Sequence, residues 1–144
     1  MSAPIMKEYQ VQIPQQIHAQ MIAHAQSLAP IESCGYLAGV DDVVHHYYEM
    51  TNIDNSPVHF SFDPKEQFKV LKEARDKGWQ LMGVVHSHPE TPARLSEEDI
   101  KLFNDPNPYY LIVSLKEEIP DVKGFKVEKS DQAVKISSVR LTQV

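Results

Sequence analysis

The run Trp79-Gln80-Leu81-Met82-Gly83-Val84-Val85, ending directly in His86-Ser87-His88-Pro89, restricts the fold of this 144-residue chain more than any other feature. A near-continuous apolar stretch of this length reads as a central strand covered on both faces, so helices must lie over the sheet that contains it. The rest of the chain supplies them. Tyr9 to Ile13 alternates as a short strand, and Ile17, Met21, Ile22, Ala25 and Leu28 recur at helical spacing over 14–28, opened by Pro14 and closed by Pro30. Cys34 to Val40 reads as a buried strand, Asp41-Asp42 as a turn and Val43 to Met50 as its partner strand. A polar loop over 52–57 and an extended piece over 59–62 lead to Asp63, an N-cap with Pro64 at the first helical position. That helix runs to about Lys77, with Phe68, Leu71, Lys72 and Arg75 on one stripe, and Gly78 ends it. A short helix over 96–103, a strand over 109–115 and a closing hairpin of 122–128 with 133–141 complete the pattern. Strands flanked by helices and finished by a hairpin predict an α/β fold around one mixed β-sheet flanked by helices.

At 144 residues the chain is expected to form one domain over 1–144, burying roughly 68–70% of the surface its unfolded form exposes. Its net charge of −6, from 14 basic and 20 acidic residues, argues against nucleic acid or an anionic membrane as the main partner. Cys34 is the lone cysteine, so neither an intrachain disulfide nor an all-cysteine zinc site can form. No stretch approaches the ~18 apolar residues of a membrane helix, and Met1 to Gln10 lacks the features of a signal peptide. A soluble, cytoplasmic protein is expected.

The chemistry concentrates where the central strand ends. In an extended backbone residues i and i+2 point to the same side, so His86 and His88 can reach one ion, and Pro89 stops the ladder there. Ser96-Glu97-Glu98-Asp99 has the form of a capping box, which accounts for its residues without catalysis. The two readings are compatible, because a capped first turn is rigid and presents Asp99 in a fixed position. Two histidines and one carboxylate leave a fourth coordination position open for water, as catalytic zinc sites do. Glu32, between Pro30 and a buried strand, is the candidate general base for that water. Cys34 as a nucleophile beside His86 or His88 competes with Cys34 as a small buried hydrophobe, the commoner role in an apolar strand. His59 could touch substrate, while His45 and His46 should face opposite sides of their strand. Ser87 should point away from the two histidines and support them by hydrogen bonding. The zinc deaminase signature needs Pro-Cys-x-x-Cys, which one cysteine cannot supply, and His-Glu-x-x-His is absent.

Taken together, Glu32, His86-Ser87-His88-Pro89 and Ser96-Glu97-Glu98-Asp99 resemble the JAMM motif of the MPN-positive (Mov34/MPN/PAD-1) zinc metallopeptidases: a distant Glu, then His-[Ser/Thr]-His-Pro, then Ser-x-x-Asp. The small prokaryotic members are also resembled by Pro30-Ile31-Glu32-Ser33-Cys34-Gly35-Tyr36-Leu37-Ala38-Gly39 and by Asn55-Ser56-Pro57-Val58-His59-Phe60 leading to Asp63-Pro64, so that the likeness runs from about Ile5 to Leu115. The resemblance implies a cytidine-deaminase-like three-layer sandwich. It further implies one zinc ion per chain on His86, His88 and Asp99, with Glu32 bonded to the water and Ser96 helping to hold the oxyanion. The implied substrate is a ubiquitin-like or sulfur-carrier β-grasp protein, cut after its C-terminal Gly-Gly to release a conjugated protein, trailing residues or an attached cysteine. The other class that carries this fold is a non-catalytic MPN-type scaffold, which usually lacks one or more of the ligands that this chain retains.

Overall fold

The computed structural model describes residues 8–144, so the beginning of the segment read for a signal peptide lies outside the described residues. In chain order the elements are β1 (Tyr9–Ile13), α1 (Gln15–Leu28), β2 (Cys34–Val40), β3 (Val43–Met50), α2 (Pro64–Asp76), β4 (Gln80–His88), α3 (Glu97–Leu102), β5 (Tyr109–Ser114), β6 (Asp121–Lys129) and β7 (Val134–Gln143). Each expected element is present. The mixed sheet runs β1-β3-β2-β4-β5-β6-β7, with β4 antiparallel to β2 and parallel to β5. The apolar run therefore takes the central position its composition requires. The sheet also closes on itself: β1 is parallel to β7 from Tyr9↔Val139 to Ile13↔Gln143, and meets β3 at Gln12↔Val43. Closure gives β1 a partner on each side and buries its inward residues Val11 and Ile13.

Side-chain parity then separates two faces. Leu37, Val85, Leu111 and Val113 point to one, where they pack with Met21 and Ala25 of α1. Cys34 and Ala38 point to the other, against Val70 and Ala74 of α2. His86 and His88, one step out of phase with Val85, share this second face, which α3 also covers through its C-cap Phe103, stacked on Tyr110 of β5.

Two local expectations are corrected. The α2 stripe does not face the sheet: Phe68 is 72% exposed and Leu71 43%, while Val70 and Ala74 are buried. The helix has apolar residues on more than one side, and the face with the smaller side chains is the one that packs against Cys34 and Ala38. Nor do His45 and His46 face opposite ways. The register shift at Ala38/Gly39 leaves His45 of β3 without a partner in β2, and at this bulge both imidazoles come within 5.9 Å of the Trp79 ring. Asp41 and Asp42, both with φ near +60° (53° and 62°), form the tight turn between β2 and β3.

Candidate metal centre

Three ligand atoms converge where β4 ends. His86 Nε2 and His88 Nε2 lie 3.1 Å apart. Asp99 places Oδ1 3.2 Å from His86 Nε2 and Oδ2 3.0 Å from His88 Nε2. All three residues are buried. Two ligands each ~2.0–2.1 Å from a tetrahedral ion stand roughly 3.3 Å apart, so separations of 3.0 to 3.2 Å, with the Asp99 carboxylate meeting the two rings through different oxygens, fit a single small cation.

Each ligand is oriented by its surroundings. His88 Nδ1 pairs with the Pro92 carbonyl at 2.9 Å, which puts the proton on that nitrogen and leaves the Nε2 lone pair facing the triangle. The His86 ring stacks on Phe60 at 4.8 Å and meets the edge of Phe103 at 5.5 Å, while its Nδ1 has no partner among the described residues. Asp99 also closes the capping box, its Oδ2 accepting from Ser96 N–H and its own N–H donating to Ser96 Oγ, both at 3.0 Å. Capping and the ligand geometry coexist in one residue. Burial pushes the Asp99 carboxyl up, yet the bonds to His86 and His88, the His86 charge and the Ser96 N–H together hold it well below the usual carboxylate range. Burial lowers His86 against the pull of Asp99. For His88 burial is outweighed by the bonds to Asp99 and Pro92 and by the charges of Asp99 and Glu32, so its pKa is raised.

Ser87, between the two histidines, faces the other way. Its Oγ accepts from Ser33 N–H at 2.7 Å, and its N–H donates to the Ser33 carbonyl at 3.0 Å. With Cys34 opposite His86 and Ser33 opposite Ser87, the antiparallel register carries Glu32 level with His88. Glu32 is 3% exposed, and its Oε1 has no partner among the described residues. Burial pushes its carboxyl up to about 8; the His88 charge pulls it down, and Asp99 and Glu98 add to the rise. The structure thus brings Glu32, His86, His88 and Asp99 to one place, with Ser96 one helical turn from the carboxylate it caps.

Cys34 is packed beside this group, but burial above all, with the charges of Glu66, Glu32 and Asp54, pushes its thiol up to about 12. It stays protonated at neutral pH, as a packed hydrophobe does. His59 lies near the site in a different capacity: its Nδ1 pairs with Asp54 Oδ2 at 2.9 Å, and Ser61 Oγ donates to the same oxygen at 2.7 Å. An apolar cleft of ≈ 320 Å³ opens between this segment and α3, lined by Phe60, Phe62, Leu102, Phe103 and Tyr110, with Asp99 in its wall. Phe60 and Asn52 escaped the sequence reading. Alternation through the extended piece was the available signal for Phe60; Asn52 showed only as a turn residue.

The chain matches the family described as prokaryotic homologs of the JAB domain over residues 14–127. It is 36% identical over 99 residues to the CysO-cysteine peptidase of Mycobacterium tuberculosis, covering 67% of this chain and 68% of that protein. It is 32% identical over 129 residues to the desampylase of Pyrococcus furiosus, covering 90% and 87%. The solution structure of a protein from Desulfitobacterium hafniense superposes with a TM-score of 0.80 at 39% identity, over 93% of this chain and 94% of the other. By the family match, which spans most of its length, and by a site in which the motif residues meet, the chain belongs to the prokaryotic homologs of the JAB domain, among relatives named for peptidase activity.

Proposed function

We propose that the chain, as one metallopeptidase domain over 1–144, is a zinc-dependent protease or isopeptidase that hydrolyses the amide bond after the C-terminal Gly-Gly of a ubiquitin-like or sulfur-carrier β-grasp protein. The observation that carries this reading is the ligand triangle of His86, His88 and Asp99 with the buried carboxylate of Glu32 beside it. His86, His88 and Asp99 would hold the zinc, which would supply Lewis-acid chemistry at this point. Glu32 Oε1, which has no partner among the described residues, takes a proton from the attacking water and passes it to the leaving amine nitrogen. Burial raises the proton affinity of this carboxyl, and a cation on the neighbouring ligands would lower it again, so that Glu32 starts ionised and can accept that proton. Ser96 Oγ accepts from Asp99 N–H, so its own proton is free to donate to the oxygen of the tetrahedral intermediate. Ser87 and Pro92 hold the imidazoles' strand and ring in place.

The substrate's tail needs an edge, and the closed sheet presents none beside the site. Segment 59–62 does. On one side the His59 and Ser61 carbonyls and the Ser61 N–H are occupied by residues 52 and 53; the alternate groups, Phe60 N–H and C=O, have no backbone partner among the described residues. An extended Gly-Gly tail can add there, narrow enough to lay its carbonyl at the metal, with the apolar cleft receiving a neighbouring side chain. Within this reading the layering, α1 on one face and α2 with α3 on the other, is that of the cytidine-deaminase-like sandwich curled to closure, and the enzyme works in the cytoplasm.

The test is to incubate zinc-loaded protein with β-grasp carriers bearing a linear peptide, a lysine-linked peptide or a cysteine after Gly-Gly, and to weigh the products. Release of a carrier ending in Gly-Gly, lost on chelation and in Glu32→Gln, is expected. If no carrier is cut although each chain holds one zinc, the protein is a scaffold and the hydrolase reading is wrong.

A further inference from the structure

Glu32 stands two residues before β2; the β2–β4 pairing reaches its neighbour Ser33, but its own N–H and carbonyl are bonded outside the strand ladder. Its N–H donates to the Ser56 carbonyl at 2.9 Å, and its carbonyl accepts from Asn52 Nδ2 at 3.0 Å. The same Nδ2 donates to the His59 carbonyl at 3.0 Å. Asn52 Oδ1 accepts from Asp54 N–H at 3.1 Å and from Ser61 N–H at 3.2 Å. In a side chain only 8% exposed, the amide nitrogen donates twice and the oxygen accepts twice, which is its full capacity. An asparagine turn accounts for the bond to Asp54 alone. The other three reach across the chain to Glu32 and to the wall of the cleft.

Side chains also anchor that wall, through His59 and Ser61 on Asp54 and Phe62 stacked on Tyr36, but its backbone contacts are few. Segment 59–62 touches the rest of the chain's backbone through the bridge Asn52↔Phe62 and the bond from Ile53 N–H to the Ser61 carbonyl at 3.1 Å. Phe60, between the two positions that Asn52 binds, carries its ring onto His86.

Building on the hydrolase reading, we propose that Asn52 is a positioning residue that sets the spacing between the Glu32 carboxylate and the 59–61 wall on which the substrate's tail lies. Attack requires the water held by the base and the carbonyl held by the wall to meet in line, and one buried amide ties the two supports together. Loosening it separates them without touching a metal ligand. The zinc affinity is therefore insulated from Asn52, whereas both kcat and KM depend on it.

Asn52→Asp keeps the two accepted bonds at Oδ1 and removes both donated bonds; Asn52→Ala removes all four, and carries the same expectation if the added charge of the aspartate alone disturbs the loop. In the zinc-loaded full chain kcat on a carrier–peptide fusion should fall by about 10–100-fold, the usual cost of losing a residue that orients a reacting group. KM should rise, and zinc affinity by chelator competition should not change. In a Glu32→Gln background the substitution should lower single-turnover kcat no further, with only the KM effect persisting. A residue needed merely for stability would lower the melting temperature and multiply with Glu32→Gln, and that outcome overturns the proposal. A fall in zinc affinity would overturn it too. Amide hydrogen exchange decides independently of activity, because Glu32 N–H is bonded to Ser56 and not to Asn52. Its exchange should quicken in either variant while Ser87 N–H stays protected. Unchanged exchange at Glu32 refutes the tie even if the hydrolase reading holds, and failure of wild-type protein to cut any carrier refutes that reading and leaves the exchange result standing.

Discussion

At the scale of single residues, burial works against the charged form of each group in the site, and bonds to neighbours outweigh it at Asp99 and His88 but not at Glu32. Glu32 favours its protonated form when folded, because burial pushes it up to about 8 from an ordinary 4.5. Between those values the folded state holds a proton that the unfolded chain has released, so stability falls as pH rises through the window. In chelator-treated protein, urea unfolding between pH 5 and 8 should show this decline in wild type. Glu32→Gln should flatten it by at most about 1.4 kcal/mol per pH unit, one proton's worth; identical slopes would show that Glu32 is not buried as a titrating acid. Most of these residues are recognisable as chemical types in the sequence: His-x-His sets two ligands on one side of a strand whatever surrounds it. Glu32 is different. Nothing in its local sequence marks it as buried, and its place beside His88 comes from the pairing of β2 with β4, fifty residues away in the chain.

At the scale of elements, α3 shows how one short helix serves two ends. Ser96 caps it and, in the proposed function, also donates its hydroxyl proton to the oxyanion. Ser96→Thr should preserve both roles. Ser96→Asp should keep the cap and lose the donor, lowering kcat by about 10²–10³ while costing little stability. Ser96→Ala should lose both, adding about 1 kcal/mol of destabilisation in denaturant unfolding. If Asp and Ala variants retain wild-type kcat, Ser96 is a cap alone. The strand pair β2–β3 is tight in another way: a Cβ at Gly35 would stand 2.5 Å from the Tyr48 carbonyl and against the Tyr47 ring. Gly35→Ala should therefore lose roughly 1–3 kcal/mol of stability and displace the strand that leads to Glu32, which thermal unfolding and kcat would report together. The caps and turns were readable because Asp63, Pro64, Ser96 and the Asp41-Asp42 pair act on their own neighbours. The α2 stripe and the His45-His46 alternation were misread because the packing partner of a helix and the position of a bulge are set across the sheet.

At the scale of the whole molecule, an ion on the candidate ligands would couple its binding to folding. The three ligands crowd one buried point from β4 and α3, so an ion there ties the helix to the strand, and a cation that binds only the folded state stabilises it by mass action. Free zinc at a hundred times its dissociation constant should contribute about 2.7 kcal/mol, a rise in melting temperature of roughly 10 °C for a domain of this size. Asp99→Ala should abolish that zinc-dependent rise, and an unchanged rise would place the ion elsewhere. The sequence by itself determined what repeats locally: the strand and helix segments, the central place of the apolar run, the capped helix, the paired histidines and, through motif likeness, the family. Those follow from the periods of two and 3.6 and from interactions between residues a few positions apart. The tertiary structure alone decided that the sheet closes through β1, that Phe68 and Leu71 lie outside, that Phe60 stacks on a candidate ligand, and that Asn52 ties Glu32 to the cleft wall. Each of these depends on contacts between distant segments, whose partners are fixed only when the sheet's register has brought them together.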